Sequence, residues 1–200
     1  MDCGLFQGYK ELRLRNWAGL PFDPATLDAV LLTHAHIDHS GYIPLLVKNG
    51  FKGKIYCSEA TYALCQILLP DSGYLHEEDA LRANKYGYTK HKPALPLYTE
   101  KDARESLHRF HTVGFGNPVY LDDELHFTLS RAGHILGASF IALADTKRTV
   151  TFSGDLGHHN DPIMKKPAEL QHTDYLLIES TYGDRLHPKI DPLEEIGEVI

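Results

Sequence analysis

The sequence predicts a layered α/β sandwich, in which helices cover the outer faces of β-sheets. Two observations indicate this class: helical segments alternate with short apolar runs typical of strands, and such runs dominate the second half of the chain. The 200 residues, of which 42% are hydrophobic and 24% charged, are enough for one sizeable core. We find no internal repeat and no low-complexity segment.

The first half of the chain is predicted to alternate between strands and helices. Apolar and β-branched residues indicate buried strands at 29–32 and 54–57. The helical patterns are predicted at 41–48, 60–69, 77–85 and 100–110. Turn residues at 70–73 separate the second helix from the third, and a proline-rich link at 90–96 precedes the fourth.

The second half is predicted to be mainly β-structure. The strand patterns occur at 119–121, 125–130, 139–144, 149–152 and 175–178. Both ends of the sequence look cut, because Met1 stands where a strand should be finishing and a helix beginning at Asp191 reaches Ile200 without a cap. We therefore expect a fragment of a longer protein.

The most informative motif is the run His34-x-His36-x-Asp38-His39. It follows the predicted strand 29–32 directly, so a loop at the end of that strand can direct His34 and His36 to one metal ion. Asp38 and His39 can then reach a second metal ion beside the first. Imidazole and carboxylate together suit Zn²⁺ best among the common metals, with Mn²⁺ or Fe as lesser options.

Two further positions can complete such a site. His134 follows the strand pattern 125–130, and Asp155 follows 149–152, each among glycines that allow the backbone to approach a metal closely. Either residue alone is more often a turn residue, but both lie at strand ends, as the first cluster does. The ligands predicted for the first metal are His34, His36, His134 and Asp155, and those for the second are Asp38, His39, a bridging Asp155 and one ligand that the sequence does not identify.

Composition excludes several classes of protein. No run of about 18 apolar residues is present, so we expect no membrane-spanning helix and no membrane partner. The amino terminus is not a signal peptide, and Cys3, Cys57 and Cys65 lack paired spacing, which favours a reducing, cytoplasmic location. With a net charge of −7, the chain has no basic face on average. A polyanion must therefore be held by the metals, by local Lys and Arg residues, or by parts outside this sequence.

These motifs together resemble the metallo-β-lactamase superfamily over nearly the whole chain. Asp2-Cys3-Gly4 is similar to the first family motif, the run His34 to Gly41 to the second, His134 to the third and Asp155 to the fourth. The resemblance implies an αββα sandwich with the metals at one edge. It also implies that Asp2 supports the metal ligands as an outer hydrogen-bond partner.

A narrower resemblance is carried by Glu179-Ser180-Thr181-Tyr182-Gly183-Asp184-Arg185. This run is similar to the first signature of the β-CASP branch, which contains RNA-processing nucleases, and the segments 5–8 and 133–139 also resemble that branch. The resemblance implies that Glu179 orients catalytic groups near the metals, whereas a cap at a strand end is the structural alternative for this residue. Residues 1–187 would form a partial metallo-β-lactamase domain, and 188–200 would begin the β-CASP insert.

The family pattern also contains two later histidines, one a general acid and the other the missing ligand of the second metal. No residue after Glu179 matches them, and His187 is expected to be an ordinary surface residue. The other histidines, His76 and His91 among them, have no partners at ligand spacing and are expected to be ordinary as well.

The resemblance implies a zinc-dependent ribonuclease that cleaves single-stranded RNA by a hydroxide activated between two metals, with Asp38 and Glu179 as candidate catalytic residues. Mn²⁺ is an alternative metal, and a homodimer is left open. Two other functions are also left open: a hydrolase of a small ester or thioester on the same fold, and a non-catalytic scaffold subunit of an RNA-processing complex. The run at Glu179 favours the nuclease, and the intact ligand set argues against the scaffold.

Overall fold

A computed structural model of the chain describes residues 1–186, 196–197 and 199–200. The strands of this part of the chain are β1 (Ala29–Leu31), β2 (Lys54–Cys57), β3 (Phe110–Thr112), β4 (Val119–Tyr120), β5 (His126–Arg131), β6 (Ser139–Ala144), β7 (Thr149–Phe152) and β8 (Tyr175–Leu177). The α-helices are α1 (Lys10–Leu14), α2 (Ile37–Ser40), α3 (Ile43–Lys48), α4 (Glu59–Tyr86) and α5 (Glu100–Ser106). Short 3₁₀ turns lie at Arg15–Trp17, Pro24–Thr26 and Leu107–Arg109.

The first layer is a three-stranded parallel sheet with the order β1-β2-β3. Parallel neighbours require crossover connections. Here α2 and α3 connect the first pair of strands, and α4 and α5 connect the second. Fully buried side chains of the sheet and these helices share one hydrophobic cluster, which includes Leu32, Ile43, Phe51, Leu69 and Tyr98.

The second layer is a five-stranded sheet with the order β4-β5-β6-β7-β8. Its strands β4 to β7 are antiparallel, and β8 runs parallel to β7. Leu31 of the first sheet shares a buried cluster with Phe127, Leu129 and Ile141 of the second, so the two sheets pack face to face. The predicted layered α/β sandwich is thereby confirmed.

The structure corrects three boundaries. A single helix, α4, covers the two helices that we predicted, and it continues through Pro70. The prediction of a turn there was wrong because burial overrides the local preference. Leu69 and Pro70 are buried, and Gly73 lies so close to the backbone of Thr99 that a Cβ would approach its carbonyl oxygen to 2.6 Å.

The segment predicted as a helix at 100–110 changes structure after Ser106. A 3₁₀ turn follows, and Phe110 then begins β3, whose pairing with β2 was not predicted. The helix predicted at 41–48 is present as α3, which begins at Ile43. A separate short helix, α2, was not predicted, and it places Asp38 and His39 on a helix instead of in a loop. Helix α1 was also missed.

The predictions for His187 and for an insert beginning near Pro188 lie outside the described residues. Among the residues that the structure describes, no helix is both long enough and apolar enough to cross a membrane.

Candidate metal centre

The centre lies where β1 ends. Residues 32–36 follow the strand without regular secondary structure, and α2 begins at Ile37. His34 is completely buried, and His36 is half-buried. The change from irregular chain to helix turns the four side chains of the motif towards one region, which a regular strand with its alternating side chains could not do.

The amino-terminal segment holds this motif in place. Backbone hydrogen bonds run from Cys3 N to the carbonyl of His39 at 2.7 Å and from Leu5 N to the carbonyl of Ile37 at 3.0 Å. Between them, Gly4 packs directly on the backbone of Asp38, where a Cβ would overlap the carbonyl group. A glycine is therefore required for this segment to pair so closely with α2.

Three imidazoles and one carboxylate converge at the centre. The ligand atoms of His34, His36, His134 and Asp155 all lie within 4.8 Å of one another. His36 Nδ1 is 3.1 Å from His34 Nε2 and 3.2 Å from His134 Nε2. Asp155 Oδ2 lies 3.7 Å from His34 Nε2 and 3.5 Å from His134 Nε2.

The second carboxylate oxygen of Asp155 faces a different ligand. Asp155 Oδ1 is 3.2 Å from His39 Nε2, and that nitrogen is 3.8 Å from Asp38 Oδ2. One oxygen of Asp155 thus faces the three-histidine group, and the other faces His39. The two oxygens of this carboxylate therefore have different imidazole neighbours. The Asp38 side chain is 52% exposed, so this side of the centre is open to solvent.

Burial favours the neutral form of His34 and His134. Burial, together with the neighbouring imidazoles of His39, His36 and His134, lowers the pKa of His34 to about 2. Burial also lowers the pKa of His134, although the charge of Asp155 opposes the change. Burial alone would lower the pKa of His39 too, but the hydrogen bond and charge of Asp2, together with the charges of Asp155 and Asp38, raise it.

Asp2 connects both groups of ligands. Its Oδ1 accepts a hydrogen bond from Thr33 N at 2.7 Å, while Oδ2 lies 2.9 Å from Thr33 Oγ1 and 2.8 Å from His39 Nδ1. Thr33 Oγ1 also lies 3.0 Å from His34 Nδ1. An ionised carboxylate only accepts, so Thr33 donates its hydroxyl proton to Asp2 and accepts the Nδ1 proton of His34. His39 likewise donates its Nδ1 proton to Asp2 Oδ2. His34 and His39 therefore each keep an Nε2 lone pair that is free for a metal.

The backbone of Asp2 has a positive φ of 44°, which is uncommon for a residue with a side chain. The three hydrogen bonds of its carboxylate hold it in this conformation, which directs the carboxylate towards Thr33 and His39.

Glu179 supports the loop that carries Asp155. Its Oε1 accepts a hydrogen bond from Leu156 N at 2.8 Å, and its Oε2 accepts a longer one from Thr181 N at 3.4 Å. Burial would raise the pKa of Glu179, but these hydrogen bonds lower it, and the neighbouring His134 contributes in the same direction. Glu179 thus accepts hydrogen bonds from backbone N–H groups after β7 and after β8. Its role in orienting catalytic groups stays a prediction.

The residues present fit a metal ion. Three imidazole nitrogens and a carboxylate oxygen form a set of four ligands of the kind that Zn²⁺ takes up in tetrahedral sites. Nitrogens only 3.1 and 3.2 Å apart need a proton or a cation between them, and burial disfavours protonation of His34. Asp38 and His39 lie beside this group of four ligands, on the side of Asp155 Oδ1.

The metallo-beta-lactamase superfamily is the family whose sequence pattern matches this chain, over residues 1–193. The chain belongs to the metallo-β-lactamase superfamily. The match covers each of the motifs discussed above, from Asp2 to Glu179, and the αββα architecture follows from this membership.

Three relatives in this superfamily are similar to the chain. Ribonuclease TTHA0252 of Thermus thermophilus is 34% identical over 201 residues, which cover 100% of this chain and 42% of the relative. The transcription termination factor FttA of Cenarchaeum symbiosum is 30% identical and covers 92% of this chain and 27% of the relative. The cleavage and polyadenylation specificity factor subunit 3-I of Arabidopsis thaliana is 29% identical, with 93% and 25% covered.

These relatives belong to the classes that the β-CASP resemblance implied, and that resemblance is confirmed. The chain spans less than half the length of each of the three.

One functional residue of the superfamily site was missed at the sequence level. Thr33 precedes the histidine run directly, but we assigned it no role, because a threonine at the end of a strand is ordinary. Its contacts with Asp2 and His34 appear only once the amino-terminal segment is folded against β1. A signal was present in the sequence nevertheless, since a hydroxyl next to a buried histidine can set the position of its ring proton.

Proposed function

We propose that the protein is a ribonuclease that binds two Zn²⁺ ions and hydrolyses phosphodiester bonds of single-stranded RNA. The observation that carries this proposal is the position of Asp155, whose two oxygens face separate groups of histidine ligands at 3.5 and 3.2 Å. The names of the similar relatives, which include a ribonuclease and a cleavage factor, support RNA as the substrate. The three free thiols fit a reducing, cytoplasmic location.

Each residue of the centre has a role in this proposal. One ion would be held by His34, His36, His134 and Asp155. The other would take three of its ligands from Asp38, His39 and Asp155. When bound, a pair of such ions lowers the pKa of a water nucleophile and stabilises negative charge on a phosphoryl oxygen.

The surroundings of the centre favour a defined geometry and an open face. Burial of His34 excludes water from one side, and the exposed Asp38 marks the side from which a substrate can enter. Glu179 holds the backbone next to Asp155, and we infer that it positions this carboxylate without taking up a proton in the reaction. The leaving ribose oxygen needs a proton, which a general acid next to the scissile bond would supply.

The test is cleavage of end-labelled single-stranded RNA by the full-length protein, with metal content measured by mass spectrometry. We expect chelator-sensitive cleavage and about two zinc ions per chain in the untreated protein. Asp155→Ala should abolish cleavage and reduce the bound metal, because it removes the shared carboxylate. Asp123→Ala, in an exposed turn away from the centre, is the matched control and should change neither.

Two results would contradict the proposal. Full activity of Asp155→Ala would exclude a mechanism with a shared carboxylate. Failure of a folded, zinc-loaded protein to cleave RNA, together with hydrolysis of a small ester or thioester, would favour the other hydrolase function.

A further inference from the structure

A groove separate from the metal centre lies between the amino-terminal helix, the second half of α4 and the link that follows α4. It has a volume of about 730 Å³, within the range of ligand-binding sites, and a smaller recess of about 330 Å³ adjoins it. We call it the α4 groove. Its walls include Trp17, His76, Asp79, Tyr88 and Lys90, and the recess adds Lys10 and Arg13.

Aromatic side chains line this groove and remain largely exposed to solvent. Trp17 is 58% exposed and Tyr88 is 67% exposed, and Tyr86 next to the groove is 68% exposed. Large aromatic rings normally bury most of their surface, so several exposed rings in one region indicate a binding surface. Flat exposed rings provide the platforms on which single-stranded bases stack, whatever the base.

Cations are concentrated in the end of α4 and the link beside the groove, where Lys90 lines the groove itself. Residues 80–99 contain Arg82, Lys85, Lys90 and Lys92 and no acidic residue, whereas the whole chain has a net charge of −7. Lys85 lies 5.3 Å from the centroid of the Tyr86 ring, so cation and aromatic ring are presented together.

The recess extends this basic surface with Lys10 and Arg13. Among the residues that line the groove and the recess in the described part of the chain, Lys90, Lys10 and Arg13 are basic and Asp79 is acidic. A basic, aromatic surface on an acidic protein is complementary to a single strand of nucleic acid, because the cations attract its phosphates and the rings accept its bases.

The side chain of His76, which lines the groove, has a ring nitrogen without a hydrogen-bond partner among the described residues. His76 Nε2 is buried and has no hydrogen-bond partner in the described part of the chain. An unpaired buried nitrogen is costly unless a ligand or water completes it. Since the residue lines both the groove and the recess, it can be completed by a polar edge of a base that enters them.

One wall of the groove is fixed to α4 by two hydrogen bonds. The side chain of Asn84 on α4 donates to the carbonyl of Ala94 at 2.9 Å and accepts from Ala94 N at 2.7 Å. This pair fastens the link 90–96 to the helix and so fixes the position of Lys90 and its neighbours.

A short series of contacts joins the groove to the metal centre. Leu5 bonds to Ile37 beside Asp38, and the next residue, Phe6, is bonded through both its N–H and its carbonyl to the side chain of Asn16. Trp17 follows Asn16 directly. The segment that holds α2 at the metal centre thus also carries the aromatic wall of the groove.

We propose that the α4 groove binds a segment of single-stranded RNA that flanks the scissile bond, with a base stacked on Trp17 and phosphates near Lys90, Lys10 and Arg13. This inference rests on the proposed function, because it takes RNA as the substrate, and it names the surface that holds the substrate away from the metals. It also resolves how a protein of net charge −7 holds a polyanion, since local cations supply the attraction.

The test uses Trp17, which is the single tryptophan of the 200-residue sequence. An oligonucleotide of about ten residues, within the range of roughly 4–16 that single-strand sites occupy, is titrated into the Asp155→Asn variant so that cleavage does not interfere. Any tryptophan outside the 200 residues of this sequence is replaced by phenylalanine. Stacking on Trp17 should quench its emission, and a labelled RNA should report the same affinity by anisotropy.

Three variants give the expected changes. Trp17→Ala, followed by anisotropy, should weaken binding about 5- to 150-fold, as expected when one base no longer stacks on an aromatic ring. Lys90→Glu with Lys92→Glu should weaken binding and lower the salt dependence of the affinity by about 0.7 for each phosphate that is no longer neutralised. Lys147→Glu with Arg148→Glu reverses the same charge in the exposed turn between β6 and β7 and should bind nearly as the parent does.

The outcomes separate this inference from the proposed function. Suppose that RNA quenches Trp17 in the Asp155→Asn variant but the zinc-loaded protein with the native Asp155 does not cleave RNA. That result would support the groove and contradict the ribonuclease function. Cleavage with unchanged Trp17 emission at saturating RNA, or equal weakening by the groove and turn variants, would overturn the groove and leave the function standing. Circular dichroism of each variant checks that it is folded, and Lys90→Gln repeats the charge test with a milder substitution.

Discussion

Replacement of Asp2 by asparagine tests how one carboxylate outside the ligand set controls the metal centre. The carboxylate is at hydrogen-bond distance from three donors, at 2.7 Å from Thr33 N, 2.9 Å from Thr33 Oγ1 and 2.8 Å from His39 Nδ1. Asparagine keeps one acceptor oxygen and replaces the other by an amide that only donates. If its oxygen remains on Thr33 N, the amide faces His39 Nδ1.

The consequence for His39 follows from its ring protons. An amide that donates to Nδ1 stabilises the tautomer with its proton on Nε2, which is the nitrogen that lies 3.2 Å from Asp155 Oδ1. That nitrogen then has no lone pair for a metal. Loss of such outer partners typically lowers metal affinity about 10- to 100-fold, or roughly 1.4–2.7 kcal/mol.

The assay is a competition titration of the metal-free protein with Zn²⁺ against a chromophoric chelator, which resolves the affinity of each ion. We expect Asp2→Asn to weaken chiefly the ion held by Asp38 and His39. Thr33→Val removes only the hydroxyl between Asp2 and His34, so it should weaken chiefly the ion of the three-histidine group.

Asp28→Asn serves as the control, because Asp28 is exposed and lies outside the centre. Wild-type affinity for both ions in Asp2→Asn would refute the assignment of ring protons through Asp2. Equal loss at both sites in Thr33→Val would show that the threonine acts on the whole loop instead of on one ring.

Three further predictions concern stability. Gly4→Ala should destabilise the protein by about 2–4 kcal/mol in urea unfolding, because its Cβ would overlap the backbone of Asp38. Phe127→Ala should cost about 3–5 kcal/mol in the same assay, since this fully buried ring lies between the two sheets. Burial opposes the shift, but hydrogen bonds with Lys48 and Thr99 lower the pKa of Asp102 in the folded state. Its stabilising effect should therefore be complete above the unfolded value of about 3.9 and be lost as the pH falls through the lower folded value.

Each of these predictions has an outcome that would contradict it. A Gly4→Ala protein with unchanged stability and metal binding would mean that the amino-terminal segment does not pack on α2. Wild-type stability of Phe127→Ala would contradict the face-to-face packing of the sheets. Asp102→Asn should flatten the acid limb of the stability curve, and an unaltered limb would exclude this carboxylate as its source.

The sequence carried the chemistry of the centre because ligand motifs are local. His34, His36, Asp38 and His39 are separated by so few residues that one turn of chain brings them together. His134 and Asp155 could be added because each follows a strand among glycines, and strand ends in a layered fold meet at shared edges. The superfamily and its sandwich follow from the same short motifs, and the sequence match over residues 1–193 agrees with them.

Helix and strand boundaries were less well predicted where distant packing decides them. Pro70 indicates a break, but burial of α4 beside the segment that precedes α5 keeps the helix continuous. Phe110 completes a helical pattern locally, yet its pairing with Ile55 makes it the start of β3. In both cases the free energy of burial or strand pairing exceeds the local preference of a few residues.

Residue type and spacing alone indicate which side chains are available for metal binding and which family the chain belongs to, because both features are local. The folded chain was needed to show that Asp155 faces two groups of ligands and that Asp2 reaches His34 through Thr33. It also brought Trp17 and Lys90 to one groove across more than seventy residues of chain. Such relations depend on the directions of side chains from separate elements, which are set by the packing of the whole domain.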